Sequence, residues 1–344
     1  MSKPRVAVAS LGGTITMTTD DRDDATVVPT LDADDLVASV PELADAASLT
    51  AHTLSTIPGA SLTPPDLLRA LTWARKEVDG GADGVVLAQG TDTIEETAYL
   101  LDLHWEHSAP LVVTGAMRNP SLAGSDGPAN LLAAVRAAAS PRARDLGALV
   151  IMNDQIHAAA RVRKVRAGGT DAFASPDFGP LGFLEEAAVV IGNRPRRWPG
   201  IAAHPERSVP RIALLETYLG DDGATLDLVA DAGYDGIVLA GFGVGHASPK
   251  IADALERAVA RCPVVLASRT GSGTTYRATY GFIGSESDLL ARGAIASGWL
   301  DPRKSRILLS SLISAGFDRE AVRVEFARRG SNPDGPAEQV LPTR

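Results

Sequence analysis

Two threonines each follow a short apolar run and a glycine, which places a hydroxyl group at the end of a predicted strand. Residues 6–11 lead into Gly12-Gly13-Thr14, and residues 84–89 lead into Gly90-Thr91-Asp92. Ligands of open α/β sheets bind at the carboxyl ends of the strands. We therefore expect both turns to lie where chemistry takes place. A pair of hydroxyl residues in this position indicates a hydrolase that uses a side-chain nucleophile.

The first turn, Gly12-Gly13-Thr14, allows two interpretations. It is a tight turn in which glycine supplies a positive φ and the threonine caps the next element. Alternatively, Thr14 is a nucleophile beside a mobile loop. The polar residues 17–30 suit such a loop, since lids exclude water from reacting centres.

The second turn also has a structural and a chemical interpretation. Asp92 and Glu95 begin a predicted helix, where acidic side chains complement the helix dipole. Backbone N–H groups at a helix start also bind carboxylates and oxyanions. An aspartate in the position of Asp92 can in addition bind a substrate ammonium group.

Lys164 lies in the basic run 161–166, after a predicted strand or hairpin over residues 156–162. Such a run is most often a solvated face. If Lys164 is instead buried beside Thr91 and Asp92, it can serve as a base. A Thr–Lys–Asp set is the one nucleophile-activating set that this sequence offers.

Other signals for cofactors and metals fail. The run from Gly241 to His246 follows a predicted strand, but His246 occupies the place of the third glycine of a dinucleotide loop. His104 and His107 lie on one helix without partner ligands at metal spacing. The sequence therefore predicts neither a cofactor nor a metal.

Composition and charge limit the classes of partner. The chain has 344 residues, 45% of them hydrophobic, and a net charge of −9, so nucleic acid and anionic membranes are not expected partners. No apolar stretch reaches the roughly 18 residues of a membrane span. Cys262 is the only cysteine. The N-terminus enters the first strand without an apolar signal region, and these features together predict a cytoplasmic protein.

Apolar strands alternate with helices along the whole chain, which predicts an α/β fold of two domains, each a mostly parallel sheet flanked by helices. We expect an N-terminal domain over 1–192, a proline-rich linker over 193–210 and a smaller flavodoxin-like domain over 211–344. The predicted strands are 6–11, 50–55, 84–89, 110–114, 147–152, 211–216, 236–240 and 264–268. The predicted helices are 64–78, 93–106, 126–138, 223–231, 249–261, 303–314 and 318–329.

The two glycine–threonine motifs, in this order and context, resemble the signatures of the bacterial-type L-asparaginase family, here the segments 8–16 and 89–99. Shorter matches at 113–118, 125–131, 152–154, 178–182 and 234–238 extend the resemblance over nearly the whole chain. It implies hydrolysis of L-asparagine to L-aspartate and ammonia through a threonine acyl-enzyme, with glutaminase activity as a possible addition. It implies no cofactor or metal, and a homo-oligomer, a dimer or a dimer of dimers.

The resemblance also implies roles for individual residues. Thr14, Thr91, Asp92 and Lys164 match the family's catalytic residues, with the order of attack by the two threonines left open. Substrate binding falls to Gly13, Ala60, Ser61, Gly90, Thr91 and Asp92.

Two departures from the family pattern stand out. Thr26 takes the place of a lid tyrosine, and Tyr280 and His246 replace a glutamate and an asparagine that in the family reach the site from the C-terminal domain. Tyr276 lies close to Tyr280 in the sequence. One of the two tyrosines is our candidate for the missing phenol. Two alternatives remain open on the sequence alone: a non-catalytic amino-acid-binding protein, and the amidase subunit of a tRNA-dependent amidotransferase.

Overall fold

The computed structural model describes the backbone of residues 3–20, 23–29 and 31–331, and the side chains of residues 3–17 and 31–331. The side chain of Thr26 therefore lies outside the described residues. The chain divides into two compact units, Met1–Arg194 and Pro195–Arg344.

The first unit alternates strands with helices. Its strands are β1 Arg5–Ser10, β2 Met17–Asp20, β3 Asp23–Pro29, β4 Ser48–Thr53, β5 Gly84–Ala88, β6 Leu111–Thr114, β7 Ala148–Met152, β8 Gln155–Ala158, β9 Arg163–Lys164, β10 Phe173–Ala174, β11 Gly182–Glu185 and β12 Ala188–Ile191. Its helices are α1 Ala33–Ala38, α2 Leu43–Ala46, α3 Pro64–Asp79, α4 Ile94–His104 and α5 Gly127–Ala139.

Eight strands of the described part of this unit form one sheet, in the order β12-β11-β8-β7-β6-β5-β1-β4. The pairs from β4 through β7 are parallel, and β7, β8, β11 and β12 pair antiparallel. The larger sheet is therefore mixed, with a parallel half that carries both glycine–threonine turns. At the change of direction, Asn153 and Asp154 adopt positive φ angles of 51° and 59°, which suits a two-residue hairpin turn.

The parallel strands are apolar because helices cover both faces of the sheet. All five residues of β5 are buried. One face packs on α1, α2 and α5, with Leu36, Leu43 and Leu131 in the shared core, and α3 and α4 pack against β5, β6 and β7. Burial of each large aliphatic side chain contributes about 1.5–3 kcal/mol, so this core fixes the strand ends that carry the polar turns.

The second unit has a smaller parallel sheet in the order β13-β14-β15-β16. Its strands are β13 Ile212–Glu216, β14 Gly236–Gly241, β15 Val264–Ser268 and β16 Ile295–Ala296, and its helices are α6 Ala224–Asp231, α7 Pro249–Val259, α8 Glu286–Ala291, α9 Pro302–Ser314 and α10 Arg319–Arg329. Between β12 and β13 the described residues contain no helix or strand.

The α/β fold, with a larger sheet in the first unit and a smaller one in the second, confirms the predicted fold class. The eight strands and seven helices predicted above each lie within two residues of an observed element at either end. The strand or hairpin predicted over 156–162 is observed only in part, since β8 ends at Ala158 and a turn follows. The residues expected to form a lid contain the paired strands β2 and β3. No helix in the described part of the chain combines the length and apolar character that a membrane crossing requires.

Candidate active site

Three glycines bring the turns after β1, β4 and β5 into backbone contact. Gly13 has a φ of 89°, and a Cβ there would lie 2.1 Å from the backbone nitrogen of Gly90. A Cβ on Gly90 would lie 2.7 Å from the backbone nitrogen of Gly59. Real Cβ atoms do not approach other atoms this closely, so only glycine allows this packing. The residues after each glycine are thereby held at the same edge of the sheet.

Lys164 contacts two residues of the second turn. Its Nζ donates to Thr91 Oγ1 at 3.0 Å and to Asp92 Oδ1 at 2.7 Å. The side chain of Lys164 is only 15% exposed, whereas that of Asp92 is 67% exposed. The interpretation of Lys164 as a solvated basic residue is therefore wrong, because its side chain is directed into the turn that carries Thr91 and Asp92.

Thr14 follows Gly13 directly and begins a short 3₁₀ turn, Thr14–Thr16. Ile15 and Thr16 are buried, and Thr16 Oγ1 donates to the carbonyl oxygen of Gly13 at 2.9 Å. Thr14 itself is half-buried. Since the neighbouring Gly13 contacts Gly90, and Gly90 precedes Thr91, the structure brings the two threonine-bearing turns together.

Ala60 and Ser61 are exposed and lie in a 3₁₀ turn, Gly59–Ser61, after β4. This turn is tied to the second one by two side chains. Thr93 Oγ1 donates to the carbonyl oxygen of Gly59 at 3.0 Å, and the buried Gln89 donates through Nε2 to Thr93 Oγ1 at 3.3 Å. The exposed Ala60 and Ser61 are therefore held beside the second turn by partly buried polar contacts.

Sequence reasoning misses three residues of this site: Gln89, Thr93 and Glu95. From the sequence, Glu95 is a complement to the dipole of α4, and it does lie in the first turn of that helix. However, Glu95 is only 3% exposed, and its Oε2 accepts a hydrogen bond from the backbone nitrogen of Lys164 at 2.8 Å. Helical spacing is the signal that could have found it, since Glu95 lies three and four residues before the buried Ala98 and Tyr99.

His246, Tyr276 and Tyr280 belong to the second unit and form a cluster of their own. The ring of His246 lies edge-on to that of Tyr280, with centroids 4.9 Å apart. His246 Nε2 lies 3.1 Å from Glu286 Oε2, and the backbone nitrogen of Tyr276 donates to Val244 O at 2.9 Å. Both tyrosines are exposed, at 42% and 44%.

Glu286 anchors this cluster. Burial raises the pKa of its carboxyl group, but hydrogen bonds from the backbone nitrogens of Tyr280 and Thr279 outweigh that effect, and the pKa is lowered from 4.5. The ionised carboxylate therefore holds the loop before α8, and with it the rings of Tyr280 and Phe282, which both lie edge-on to His246.

The described residues contain no group of three or more His, Cys, Asp or Glu side chains placed to bind a metal ion. The polar groups at the strand ends are those of nucleophilic and acid–base chemistry.

Comparisons with known proteins agree with this architecture. Residues 5–197 match the family model "Asparaginase, N-terminal", and residues 211–326 match "Glutaminase/Asparaginase C-terminal domain". The two α/β units thus correspond to those of a two-domain asparaginase. The chain belongs to the L-asparaginase family of amidohydrolases.

Individual relatives cover most of the chain. A probable periplasmic L-asparaginase of Haemophilus influenzae is 32% identical over 94% of this chain and 92% of the relative. The crystal structure of a probable cytoplasmic L-asparaginase from Campylobacter jejuni is 31% identical and aligns with a TM-score of 0.83, covering 94% of this chain and 99% of that chain. A glutamyl-tRNA(Gln) amidotransferase subunit from Methanosphaera stadtmanae is 31% identical over 81% of this chain and 65% of the relative.

Proposed function

We propose that this protein hydrolyses L-asparagine to L-aspartate and ammonia. The observation that carries the proposal is the contact of Lys164 Nζ with Thr91 Oγ1 at 3.0 Å and with Asp92 Oδ1 at 2.7 Å. A nucleophile within hydrogen-bond distance of an amine that a carboxylate orients is the arrangement that activates a hydroxyl group. The relatives named L-asparaginase from two bacteria support the choice of substrate.

The proposed reaction has two steps, formation of an ester on the threonine and hydrolysis of that ester. The hydroxyl oxygen of Thr14 attacks the side-chain amide carbon, an ester forms, and the amide nitrogen leaves as ammonia with the hydroxyl proton. Water then attacks the ester carbon, which releases aspartate and restores the threonine. A positioned base contributes about 10²–10⁴-fold to such proton transfers. Thr91, Lys164 and Asp92 form a second set. If Thr14 attacks first, this set activates the water; in the alternative order, Thr91 makes the first attack.

Substrate recognition uses the ends of the amino acid that do not react. The carboxylate of Asp92 is exposed enough to bind the α-ammonium group. We assign the α-carboxylate to Ser61 and the backbone of the Gly59–Ser61 turn, an assignment supported by the bond from Thr93 that holds this turn beside the second one. Gly13 and Gly90 contribute through their backbones, because their lack of side chains lets the turns that carry Thr14 and Thr91 pack on each other beside the substrate. Ala60 offers no polar side chain, so Ser61 is the hydroxyl donor in this turn.

One experiment tests the reaction and its nucleophile. Purified protein is incubated with L-asparagine and, separately, with L-glutamine, and ammonia release is measured beside Thr14→Ala and Thr91→Ala variants. Acyl-enzyme trapping, followed by intact-mass analysis, then identifies the threonine that carries the ester. We expect ammonia release from asparagine and slower release from glutamine. The two amides differ by one methylene group, and a pocket discriminates between such substrates by only about 1–3 kcal/mol. Binding of L-aspartate without ammonia release from either amide would favour the amino-acid-binding alternative.

The amidotransferase alternative is supported by the relative from Methanosphaera stadtmanae, of which this chain matches 65%. The asparaginase relatives from Haemophilus influenzae and Campylobacter jejuni are matched over more than nine-tenths of their length, which favours hydrolysis of the free amino acid. Ammonia release from asparagine in the absence of tRNA and of any other protein separates the two functions.

We further propose a homo-oligomer, a dimer or a dimer of dimers, in the cytoplasm. Most oligomers of identical subunits have closed symmetry, most often as dimers and next as dimers of dimers. Light scattering gives the mass of the particle. Cell fractionation decides the compartment, for which one relative is named cytoplasmic and another periplasmic.

A further inference from the structure

Lys164 lies on a very small hairpin. Its strand, β9, contains two residues and pairs antiparallel with the two residues of β10, Phe173 opposite Lys164 and Ala174 opposite Arg163. One further backbone bond joins Val165 N to Ala172 O at 2.8 Å. Isolated two-stranded hairpins are marginally stable in water. The position of Lys164 therefore depends on contacts that the hairpin makes with the rest of the unit.

One such contact comes from α4. The carboxylate of Glu95 accepts a hydrogen bond from the backbone nitrogen of Lys164 at 2.8 Å. Glu95 is 3% exposed and lies in the first turn of the helix, where the helix dipole stabilises negative charge. The same helix follows directly after Thr91 and Asp92. Glu95 thus fixes the backbone of Lys164 relative to the two side chains that its Nζ contacts.

A second contact comes from the sheet. His157 in β8 is fully buried, and its Nδ1 lies 2.9 Å from the Oγ of Ser175, which directly follows β10. Burial lowers the pKa of His157 to about 4, so the ring is neutral at pH 7 and forms an uncharged hydrogen bond. The second strand of the hairpin is thereby attached to the mixed sheet, while its first strand is attached to α4.

We propose that Glu95 and His157 are positioning residues, which hold the β9–β10 hairpin at its two strands so that Lys164 Nζ reaches Thr91. The proposal rests on the proposed function in one respect, namely that Lys164 acts in catalysis. In this proposal both side chains act through the placement of Lys164, Glu95 by its bond to the backbone nitrogen of Lys164 and His157 by its bond to Ser175.

The test uses a matched pair of substitutions at Glu95. Glu95→Gln keeps an oxygen that accepts the hydrogen bond from Lys164 N, whereas Glu95→Met fills a similar volume without an acceptor. We expect Glu95→Met to lower kcat by about 10–100-fold, as a displaced catalytic group does. Glu95→Gln should retain kcat within about threefold, since a neutral hydrogen bond replaces a charge-assisted one.

A measurement of ligand affinity distinguishes a positioning role of Glu95 from a general loss of structure. The Kd for L-aspartate, measured by calorimetry, should change by less than about threefold in both variants, because the Gly59–Ser61 turn and Asp92 keep their places. In a crystal structure of Glu95→Met, the distance from Lys164 Nζ to Thr91 Oγ1 should exceed about 3.5 Å, the limit of a hydrogen bond. Ser175→Ala, which removes the bond to His157 with little change in volume, should lower kcat in the same direction, and it serves as the second variant if Glu95→Met fails to fold.

The outcomes remain distinct from those of the proposed function. A Lys164 displaced in the Glu95→Met crystal structure, in a protein whose wild type releases no ammonia, would support the positioning role and refute the asparaginase. An active wild type with full kcat in Glu95→Met and in Ser175→Ala would overturn the positioning role alone. An unchanged distance from Lys164 Nζ to Thr91 Oγ1 would overturn it as well.

Discussion

The backbone of Gly13 packs directly on that of Gly90, so closely that a Cβ on Gly13 would lie 2.1 Å from the Gly90 nitrogen. The two glycines precede Thr14 and Thr91. Side chains larger than hydrogen in this place would separate the turns, and with them the two hydroxyl groups. The close approach of two β-strand ends is thus a condition for a site that uses both threonines.

Gly13→Ala should abolish activity and weaken the first unit. The new methyl group meets backbone atoms, and the φ of 89° disfavours any residue with a Cβ. We expect a loss of about 2–4 kcal/mol in the free energy of unfolding and a fall in kcat/KM of more than about 100-fold. Urea unfolding and ammonia release measure the two effects. Gly168→Ala is the control, because nothing lies within 4 Å of a Cβ there, and a comparable loss in that variant would contradict the steric argument.

Two substitutions at Lys164 distinguish a base from a fixed positive charge. Lys164→Met removes the amine, and Lys164→Arg keeps the charge in a group that does not lose its proton. If Lys164 acts as a base, both variants should lose about 10²–10⁴-fold in kcat. Activity in Lys164→Arg within about tenfold of wild type would instead assign an electrostatic role. Lys76→Met, at an exposed position on α3, should behave as wild type.

The buried His157 should make the stability of the first unit depend on pH. Its pKa is lowered to about 4 in the folded protein against 6.5 in the unfolded chain, so the unfolded chain binds the proton more tightly. The contribution of His157 to the free energy of unfolding therefore decreases as the pH falls below 6.5, and it continues to decrease until about pH 4. Linkage gives a loss of about 2 kcal/mol between about pH 7 and pH 5.

Urea midpoints at pH 7 and pH 5 check this effect, and His157→Gln should reduce the difference between them. The matched control is His52→Gln, since the side chain of His52 is 46% exposed. An equal reduction in both variants would show that the effect does not arise from burial of His157.

Tyr276 and Tyr280 are the candidates for the phenol group that the lid lacks, since Thr26 takes the place of the lid tyrosine. If one of them supplies it to the reaction, then Tyr276→Phe or Tyr280→Phe should lower kcat by about tenfold or more, because only the hydroxyl group is lost. Tyr218→Phe, at a residue that is 55% exposed, is the control. Full kcat in both test variants would remove the tyrosines from the mechanism and leave the substitute for the lid tyrosine elsewhere.

The parallel half of the larger sheet is predictable from the sequence because local signals agree there. Around β5, a buried apolar run ends at Gln89-Gly90, and a helix that is buried on nearly all sides follows, so strand, turn and helix are each visible in the sequence. The same signals place Thr91 and Asp92 at the strand end. Their contact with Lys164 is only one of two interpretations that the sequence allows.

The β9–β10 hairpin is not predictable in the same way. Two residues per strand give no alternation to detect, and the basic residues around Lys164 favour exposure by composition. Burial of Glu95 depends on a contact that spans 69 positions in sequence, and no local pattern reports such a contact. The roles of Gln89 and Thr93 are not visible in the sequence for a related reason. Gln89 donates to Thr93, and Thr93 donates to Gly59, a contact that depends on the pairing of β1 with β4 and β5.

The order of the site residues along the chain also governs when the site can form during synthesis. Thr14, Thr91 and Asp92 leave the ribosome well before Lys164, and the β10 strand that pairs with Lys164 comes later still. A nascent chain that ends before residue 173 therefore contains the proposed nucleophiles but lacks the strand that pairs with Lys164. The proposed nucleophiles and the amine proposed to activate them can therefore come together only after most of the first unit, Met1–Arg194, has been synthesised.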